Sequence, residues 1–193
     1  MEEQFKEIAK IYDMSYRFAY GSERKKAAIF VSKETHCLME LLWEWQNADL
    51  NMDIACVISN HPDACELVEP LNIPYHYIPA NKDVREEVEA KQIELMEEYE
   101  VDVLILARYM QILTPNFVKH FENRIINIHH SFLPAFIGAH PYERAHARGV
   151  KLIGATSHYV TNDLDEGPII AQDIERVDHR DTVNDLKKLG QQI

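Results

Sequence analysis

Cysteine is scarce in this sequence, and its spacing does not suit a metal site. The 193-residue chain has three cysteines, Cys37, Cys56 and Cys65, and none of them forms the C-x-x-C spacing of thiolate zinc ligands. Their odd number also argues against a disulfide framework. Cys37 falls on a predicted amphipathic helix and Cys56 in a predicted strand, so we expect ordinary thiols in or near the core.

Basic residues and long apolar runs are also lacking. The chain has 20 basic residues against 32 acidic ones, which gives a formal net charge of −12 at pH 7. Phosphate-rich partners need basic stripes, so this balance argues against nucleic acid and membrane surfaces as partners. No apolar run is as long as a membrane span, and the N-terminal sequence MEEQFKEIAK does not have the form of a signal peptide. We therefore expect a cytoplasmic protein.

Glycine is missing from one place where its absence is informative. Residues 25–32 (KKAAIFVS) predict a buried strand, and apolar residues at helical spacing follow it. Nucleotide-binding folds place a glycine-rich phosphate loop between such a strand and its helix. Here the connection, residues 32–37 (SKETHC), contains no glycine. Ser32 or Thr35 is expected to cap the helix.

Strands and helices are predicted to alternate along the chain. Apolar segments that predict further strands are residues 52–59, 73–78, 101–107, a segment that begins at Ile125, 152–160 and 169–174. Pro74 suggests an edge position or the start of a strand for the second of these. The alternation predicts an α/β fold, a Rossmann-like and mostly parallel sheet flanked by helices, with the ligand crevice at the carboxyl ends of the strands.

A long helix is predicted before the strand at 101–107. Asp83 and Glu86 have the spacing of a capping box, and the helix is expected to run to about Tyr99. Its many glutamates are expected to form a solvated face rather than a site. Its buried stripe is expected to comprise Val84, Val88, Leu95, Met96 and Tyr99.

Two segments in the second half of the chain carry side chains suited to acid–base chemistry. Asn127 and His129 are two residues apart on a predicted strand, so they share one face. Asp165 comes before a Glu-Gly-Pro turn, which leaves its carboxylate at a loop rim. An amide and an imidazole can stabilise an oxyanion, while a carboxylate can take a proton or hold the imidazole in its charged form. Taken alone, an Asn-x-His pair is more often a satisfied turn pair, and such an aspartate is more often a turn residue.

Three motifs resemble those of the folate-dependent formyltransferase family, in the same order and at the same spacing. They are residues 106–115 (LARYMQILTP), 127–134 (NIHHSFLP) and 154–168, which begins GATSHYV and ends LDEGP. The resemblance extends from about Lys26 to the C-terminus. It implies a formyltransferase fold and an enzyme whose small-molecule substrate is 10-formyltetrahydrofolate, with no metal and no other cofactor.

At two positions the chain differs from the members of that family that transfer the formyl group and resembles the hydrolytic branch. Relatives that formylate glycinamide ribonucleotide carry a glycine-rich turn for the substrate phosphate, and they typically have proline where this chain has His130. The resemblance thus implies a hydrolase of a linear amide, which converts 10-formyltetrahydrofolate to formate and tetrahydrofolate, supplies formate for purine biosynthesis and balances one-carbon metabolism. Two alternatives stay open, namely formyl transfer to an amine acceptor such as glycinamide ribonucleotide, and a folate-binding module without activity.

The resemblance also implies roles for single residues. Asn127 and a protonated His129 would stabilise the oxyanion, and Asp165 would raise the pKa of His129 and help to deprotonate the water. His130 would either orient its loop or be a buried hydrogen-bonded histidine, and His158 would either support the catalytic group or simply be packed. The residues expected to line the pterin pocket, largely through backbone groups and apolar side chains, are Tyr109, Met110, Gln111, Ile112 and Leu113.

Five histidines crowd this half of the chain, but they lack the spacings of metal ligands. No HExxH motif and no HxH pair with a carboxylate on a helix is present. A metal site is therefore not expected. The histidines concerned are His129, His130, His140, His146 and His158.

The chain divides into two parts of unequal size. Residues 1–24 predict a helix, an alternating strand at 14–20 and a linker, and they resemble the last elements of the ACT domain that precedes the catalytic domain in the family. Residues 25–193 are expected to form the catalytic domain without its last C-terminal elements. The alternative is that residues 1–24 pack against the catalytic domain. Association into a homo-oligomer is left open.

Overall fold

Helices and strands alternate along most of the chain. The computed structural model describes residues 2–16, 18, 20–21, 23–80, 84–136, 138 and 140–193. The helices are α1 (Glu2–Ile11), α2 (His36–Gln46), α3 (Cys65–Val68), α4 (Arg85–Glu98), α5 (Pro115–His120), α6 (Pro141–Arg148) and α7 (Val183–Gly190), and a short 3-10 helix spans Glu69–Leu71. The strands are β1 (Lys25–Val31), β2 (Met52–Ser59), β3 (Tyr75–Tyr77), β4 (Val103–Ala107), β5 (Ile125–His129), β6 (Leu152–Tyr159) and β7 (Ile169–Arg176).

The strands form one sheet in the order β3-β2-β1-β4-β5-β6-β7. Strands β1 to β5 pair in parallel, and β6 and β7 each pair antiparallel with the strand before them. The strand order reverses between β1 and β4, which opens a crevice at the carboxyl ends of these strands. This architecture confirms the predicted Rossmann-like, mostly parallel α/β fold, with β3 at one edge as Pro74 suggested.

The central strand β1 is buried on both faces. Its residues from 27 to 31 are all 0% exposed, as a central parallel strand requires. Phe30 packs on one face with Phe117 of α5, and Ile29 packs on the other with Leu38 of α2. Because successive side chains of a strand point to opposite faces, β1 joins the two halves of the core.

The prediction that the glutamates of α4 face solvent is wrong for Glu89, which is 6% exposed. Its carboxylate accepts hydrogen bonds from the backbone N–H of Thr114, at 2.9 Å, and from the Thr114 hydroxyl. In the predicted stripe Met96 is buried, and Val88, Leu95 and Tyr99 are partly buried. Asp83, the predicted cap, lies outside the described residues.

The predicted cap of α2 is also wrong. Thr35 occupies the N-cap position, but its side chain makes no capping hydrogen bond. Ser32 instead donates to Asn60 Oδ1 at 2.7 Å and accepts from the N–H of Met110 at 2.9 Å. The Ser32 hydroxyl therefore links the end of β1 to the segment after β4, because both segments lie at the same edge of the sheet.

The predicted strand at 14–20 is not present in the described residues of that segment. Its aromatic side chains pack on α1 instead: the ring centroids of Tyr16 and Phe18 lie 5.1 and 5.7 Å from that of Phe5. Arg17 and Ala19 lie outside the described residues. The alternation of apolar residues thus reflects packing on α1 rather than pairing in the sheet.

Strand β7, which the sequence predicted as a strand at 169–174, lies at the outer edge of the sheet. All eight of its residues are exposed, and Ile169, Ile170 and Ile174 are 45–49% exposed. Within the described part of the chain, no helix has the length and apolar character needed to cross a bilayer.

Candidate functional site

A pocket with a volume of about 670 Å³ opens at the carboxyl ends of β4 and β5. The segments that follow β1, β4, β5 and β6 supply its walls. Its volume lies in the range of sites for drug-sized ligands. All ten residues predicted for the site line it: Tyr109, Met110, Gln111, Ile112, Leu113, Asn127, His129, His130, His158 and Asp165.

The antiparallel pairing of β5 with β6 brings Asn127 opposite His158. The Nδ1 atom of His158 lies 3.0 Å from the carbonyl oxygen of Tyr159, and its Nε2 atom lies 3.2 Å from Asn127 Nδ2. A carbonyl oxygen only accepts, so Nδ1 carries the proton and Nε2 accepts from the Asn127 amide. His158, which is 2% exposed, is therefore both packed and hydrogen-bonded to Asn127.

The carboxylate of Asp165 lies between two imidazoles. Its Oδ2 atom is 3.4 Å from His129 Nδ1, and its Oδ1 atom is 3.8 Å from His158 Nε2. The side chains of His129 and Asp165 are each 7% exposed. The N–H of Gly138 donates to Asp165 Oδ2 at 3.2 Å. A buried carboxylate with these neighbours can fix the tautomer and orientation of an imidazole.

The turn that carries Asp165 depends on its backbone. Asp165 has a φ of 58°, a left-handed conformation that aspartate tolerates better than most residues. At Gly167, an added Cβ atom would overlap the carbonyl oxygen of Tyr159. Glycine at position 167 is therefore required by the close approach of two backbone segments.

The protonation state of His129 differs from the expectation. Burial lowers the pKa of His129 below its ordinary value, and this effect outweighs the charge of Asp165, which raises that pKa. The resting imidazole is therefore neutral rather than protonated at pH 7. Because Nδ1 faces a carboxylate, the proton of the neutral ring belongs on Nδ1, and Nε2 keeps a lone pair. Nε2 is buried, and none of the described residues hydrogen-bonds to it.

The segment after β4 contributes both backbone and side chains to the pocket. The Tyr109 ring is 8% exposed and packs edge-to-face on Phe30, with ring centroids 5.2 Å apart. Its hydroxyl accepts a hydrogen bond from Gln92 of α4 at 3.1 Å. Met110 and Ile112, by contrast, are each 60% exposed. The side chain of Tyr109 thus belongs to the core, and the most exposed apolar side chains of this segment are those of Met110 and Ile112.

Arg108 was given no role from the sequence, although it lies in the 106–115 motif and comes directly after the central strand β4. Its guanidinium NH1 lies 2.5 Å from His130 Nδ1. Burial lowers the pKa of His130 to about 3, and the charge of Arg108 contributes to that shift. His130 is therefore neutral and hydrogen-bonded. An arginine that follows a central strand lies at the edge where ligands bind, and this position was the signal that could have identified it.

The described residues include no group of three or more His, Cys, Asp or Glu side chains arranged to hold a metal ion. His146 is exposed on α6. Cys56 is buried, and burial raises the pKa of its thiol to about 12.

Comparison with known proteins gives named relatives. Residues 25–192 match the sequence pattern described as formyl transferase. A formyltetrahydrofolate deformylase from Bacillus subtilis is 67% identical over 193 residues, which cover 100% of this chain and 64% of that protein. The protein of the same name from Mycobacterium tuberculosis is 52% identical over 183 residues, which cover 95% of this chain and 59% of that protein. The chain thus spans less than two thirds of the length of these relatives.

The chain is also similar to solved structures of proteins with these and related names. A formyltetrahydrofolate deformylase from Pseudomonas syringae superposes with a TM-score of 0.94 at 46% identity, over 98% of this chain and 64% of that chain. A phosphoribosylglycinamide formyltransferase from Bacillus halodurans superposes with a TM-score of 0.81 at 32% identity, over 87% of this chain and 88% of that chain. The match over residues 25–192, together with these similarities, shows that the chain belongs to the formyl transferase family.

Proposed function

We propose that this protein hydrolyses 10-formyltetrahydrofolate to formate and tetrahydrofolate. The observation that carries the proposal is the buried His129–Asp165 pair beside Asn127, in a pocket of about 670 Å³. The relatives of highest identity quoted above are named formyltetrahydrofolate deformylase, which supports the same reaction. In this proposal the enzyme acts in the cytoplasm on a small-molecule folate, with neither a metal nor a further cofactor.

The segment after β1 favours water over a phosphate-bearing acceptor. Glu34 lines the pocket just before the N-terminus of α2, and it is exposed. A carboxylate at this position repels a phosphate group that would otherwise bind at the helix N-terminus. Glycinamide ribonucleotide carries such a phosphate, whereas water needs no binding group of this kind.

The first step is attack of water on the formyl carbon. The neutral imidazole of His129 takes a proton from the water at Nε2, and the new C–O bond forms as the carbonyl electrons move to its oxygen. Asp165 keeps its negative charge, holds the proton on Nδ1 and stabilises the imidazolium that results. The Asn127 amide donates to the developing oxyanion, a contribution of about 3 kcal/mol for one such donor.

The second step breaks the bond between carbon and the folate nitrogen. The imidazolium of His129 first helps to stabilise the oxyanion, and it then gives its proton to that nitrogen as the C–N bond breaks. The products are tetrahydrofolate and formic acid, which loses its proton to solvent. His129 is thus neutral before the attack and charged once the tetrahedral intermediate has formed. The protonated His129 expected from the sequence is therefore present in this proposal only at the intermediate.

The pterin group is proposed to bind along residues 109–113. The exposed apolar side chains of Met110 and Ile112 would cover the ring, and backbone groups of the segment would bond its polar edge. Residues 25–193 are proposed as the catalytic domain. Residues 1–24 are proposed as the last elements of an ACT domain. The formyl transferase pattern begins at residue 25 and leaves them outside the catalytic domain.

The test is release of formate from 10-formyltetrahydrofolate in buffer without an amine acceptor, compared with the same reaction in the presence of glycinamide ribonucleotide. Hydrolysis predicts formate in both reactions, at the same rate. Formylation of the ribonucleotide without free formate would instead support the transferase. Folate binding with neither product would support the module without activity. An Asp165→Asn variant run in parallel controls for contaminating hydrolase.

A further inference from the structure

Arg108 brings a positive charge to the pocket without a carboxylate partner. No ion pair formed by the described residues includes Arg108. Its NH1 group donates to His130 Nδ1, and its Nε atom is buried with no hydrogen-bond partner among the described residues. Arginine stays charged in proteins, so among the described residues this cation is hydrogen-bonded by its side chain only to a neutral imidazole. A half-buried charge in this state favours binding of an anion.

The N-terminus of α2 contributes to the same electropositive region. His36 is the first residue of this 11-residue helix, and it lines the pocket together with Arg108. The His36 Nδ1 atom is also buried, with no partner in the described part of the chain. Arg108 is near enough for its charge to lower the pKa of His36, although burial is the larger cause. Two neighbouring pocket residues therefore have buried nitrogen atoms to which no described residue hydrogen-bonds.

We propose that Arg108, His36 and His130 form a subsite for a small carboxylate, and that this carboxylate is the formate released by the reaction. The inference rests on the proposed function, because formate is a product of the hydrolysis. The planar guanidinium presents paired N–H donors whose geometry matches a carboxylate. The Nδ1 atom of His130 accepts from Arg108, so the proton of this neutral ring is on Nε2, which is a further donor.

The position of the subsite suits a group released at the catalytic centre. The rings of His129 and His130 lie 5.5 Å apart, so Arg108 is separated from the catalytic imidazole by one side chain. Formate leaving the formyl position is therefore released in the same pocket, close to the guanidinium. Glu34 also lines the pocket, and its charge acts on His36. Its carboxylate repels a phosphate dianion more strongly than a formate monoanion, so the subsite suits a small monoanion.

A second source of carboxylate has to be distinguished from formate. The glutamate tail of a folate carries carboxylates with the same hydrogen-bonding chemistry. If the tail occupied Arg108, a fragment such as p-aminobenzoylglutamate would bind through Arg108, and formate alone would not. The experiment therefore contains one arm with each compound.

The experiment measures binding of carbon-14-labelled formate to the full chain by equilibrium dialysis, without folate and at constant ionic strength. Wild type is expected to bind formate saturably, and Arg108→Gln is expected to weaken binding at least tenfold. Arg148→Gln is the matched control, because Arg148 is exposed at the end of α6. It is expected to bind formate as wild type does. Equal binding by wild type and Arg108→Gln, or no saturable binding by wild type, would overturn the proposal.

A second substitution tests the proposal if Arg108→Gln does not fold. Arg108 has a φ of 61°, where glycine is favoured, so Arg108→Gly removes the guanidinium and relieves the backbone conformation. A folded Arg108→Gly variant that binds formate at least tenfold more weakly would support the subsite, and one that binds as wild type does would refute it. Arg108-dependent binding of p-aminobenzoylglutamate without binding of formate would assign the site to the folate tail.

The dialysis result and the reaction assay can fail independently. Arg108-dependent formate binding in a protein that releases no formate from 10-formyltetrahydrofolate would keep the subsite and refute the hydrolase. Formate release by a protein that does not bind formate through Arg108 would keep the hydrolase and refute the subsite.

Discussion

At the scale of single residues, His129 is subject to opposing effects. Its Nδ1 atom lies 3.4 Å from the Asp165 carboxylate, and both side chains are 7% exposed. Burial disfavours the charged ring, whereas the carboxylate favours it, and the net direction is a lowered pKa of His129. A general base is most useful when it is neutral at the working pH. The buried position of His129 therefore supports the role of base in the first step.

The lowered pKa of His129 predicts the acid side of the pH profile. Protonation removes the base, so kcat/KM for 10-formyltetrahydrofolate should fall as the pH falls through the pKa of His129 in the free enzyme. The midpoint of this decline should lie below the ordinary histidine value of about 6.5. His130, with a pKa of about 3, should not contribute above pH 4.5. Measurement of kcat/KM between pH 4.5 and 8 checks this, and a midpoint at or above 6.5 would contradict it.

The charge of Asp165 can be removed while its shape is kept. Asp165→Asn should leave folate binding nearly unchanged but lower turnover by roughly 100- to 10,000-fold, because the imidazolium would lose its counter-charge and the tautomer of His129 would no longer be fixed. Single-turnover formate release and equilibrium folate binding measure the two effects separately. Glu166→Gln is the control, since Glu166 is the exposed neighbour on the same turn. Turnover of Asp165→Asn within a factor of a few of wild type would exclude the assigned role.

At the scale of elements, helix α4 holds the proposed pterin segment in place from behind. Glu89 accepts two hydrogen bonds from Thr114, and Gln92 donates to Tyr109, so both ends of the segment are attached to one helix. Both helix residues are buried. The position of residues 109–113 is therefore set by polar contacts to α4 as well as by the end of β4.

Glu89→Gln tests this attachment. The variant is neutral, and its NH2 group cannot accept from Thr114, so one hydrogen bond to the carboxylate would be lost and the other weakened, at a cost of about 1–3 kcal/mol in the free energy of unfolding. A shifted segment should also raise KM for the folate more than it lowers kcat. Urea unfolding and steady-state kinetics measure the two effects. Glu87→Gln, at an exposed position of the same helix, should change neither. Equal stability of Glu89→Gln and wild type would show that the contact contributes little.

At the scale of the whole molecule, local sequence patterns predicted the alternation of strands and helices and the mostly parallel sheet. The continuous apolar run of β1 and the two-residue spacing of Asn127 and His129 depend only on neighbours along the chain. The neutral state of His129 could not be predicted, because burial outweighs the Asp165 charge only in the folded pocket. Glu89 was assigned to solvent for the same reason, since its partner Thr114 is 25 residues away. The division at residue 24 and the catalytic roles stay predictions.

Strand β7 has a consequence for how copies of the protein behave in solution. Its outer edge is unpaired among the described residues, and its isoleucines are half-exposed, so two copies could pair edge to edge. The net charge of −12 opposes such an approach through electrostatic repulsion. Salt shortens the range of that repulsion, from about 30 Å at 0.01 M to about 8 Å at 0.15 M.

Association between copies should therefore increase with ionic strength, whereas an assembly held together by ion pairs would weaken. The weight-average mass from light scattering should rise when salt is raised from 10 to 500 mM, about the range over which the repulsion is screened. Ile174→Lys places a charge on the outer strand and should suppress the rise. A mass that stays constant or falls with salt would contradict this. A rise with salt that Ile174→Lys suppresses would show that the excess of acidic residues keeps the exposed edge strands of separate copies apart.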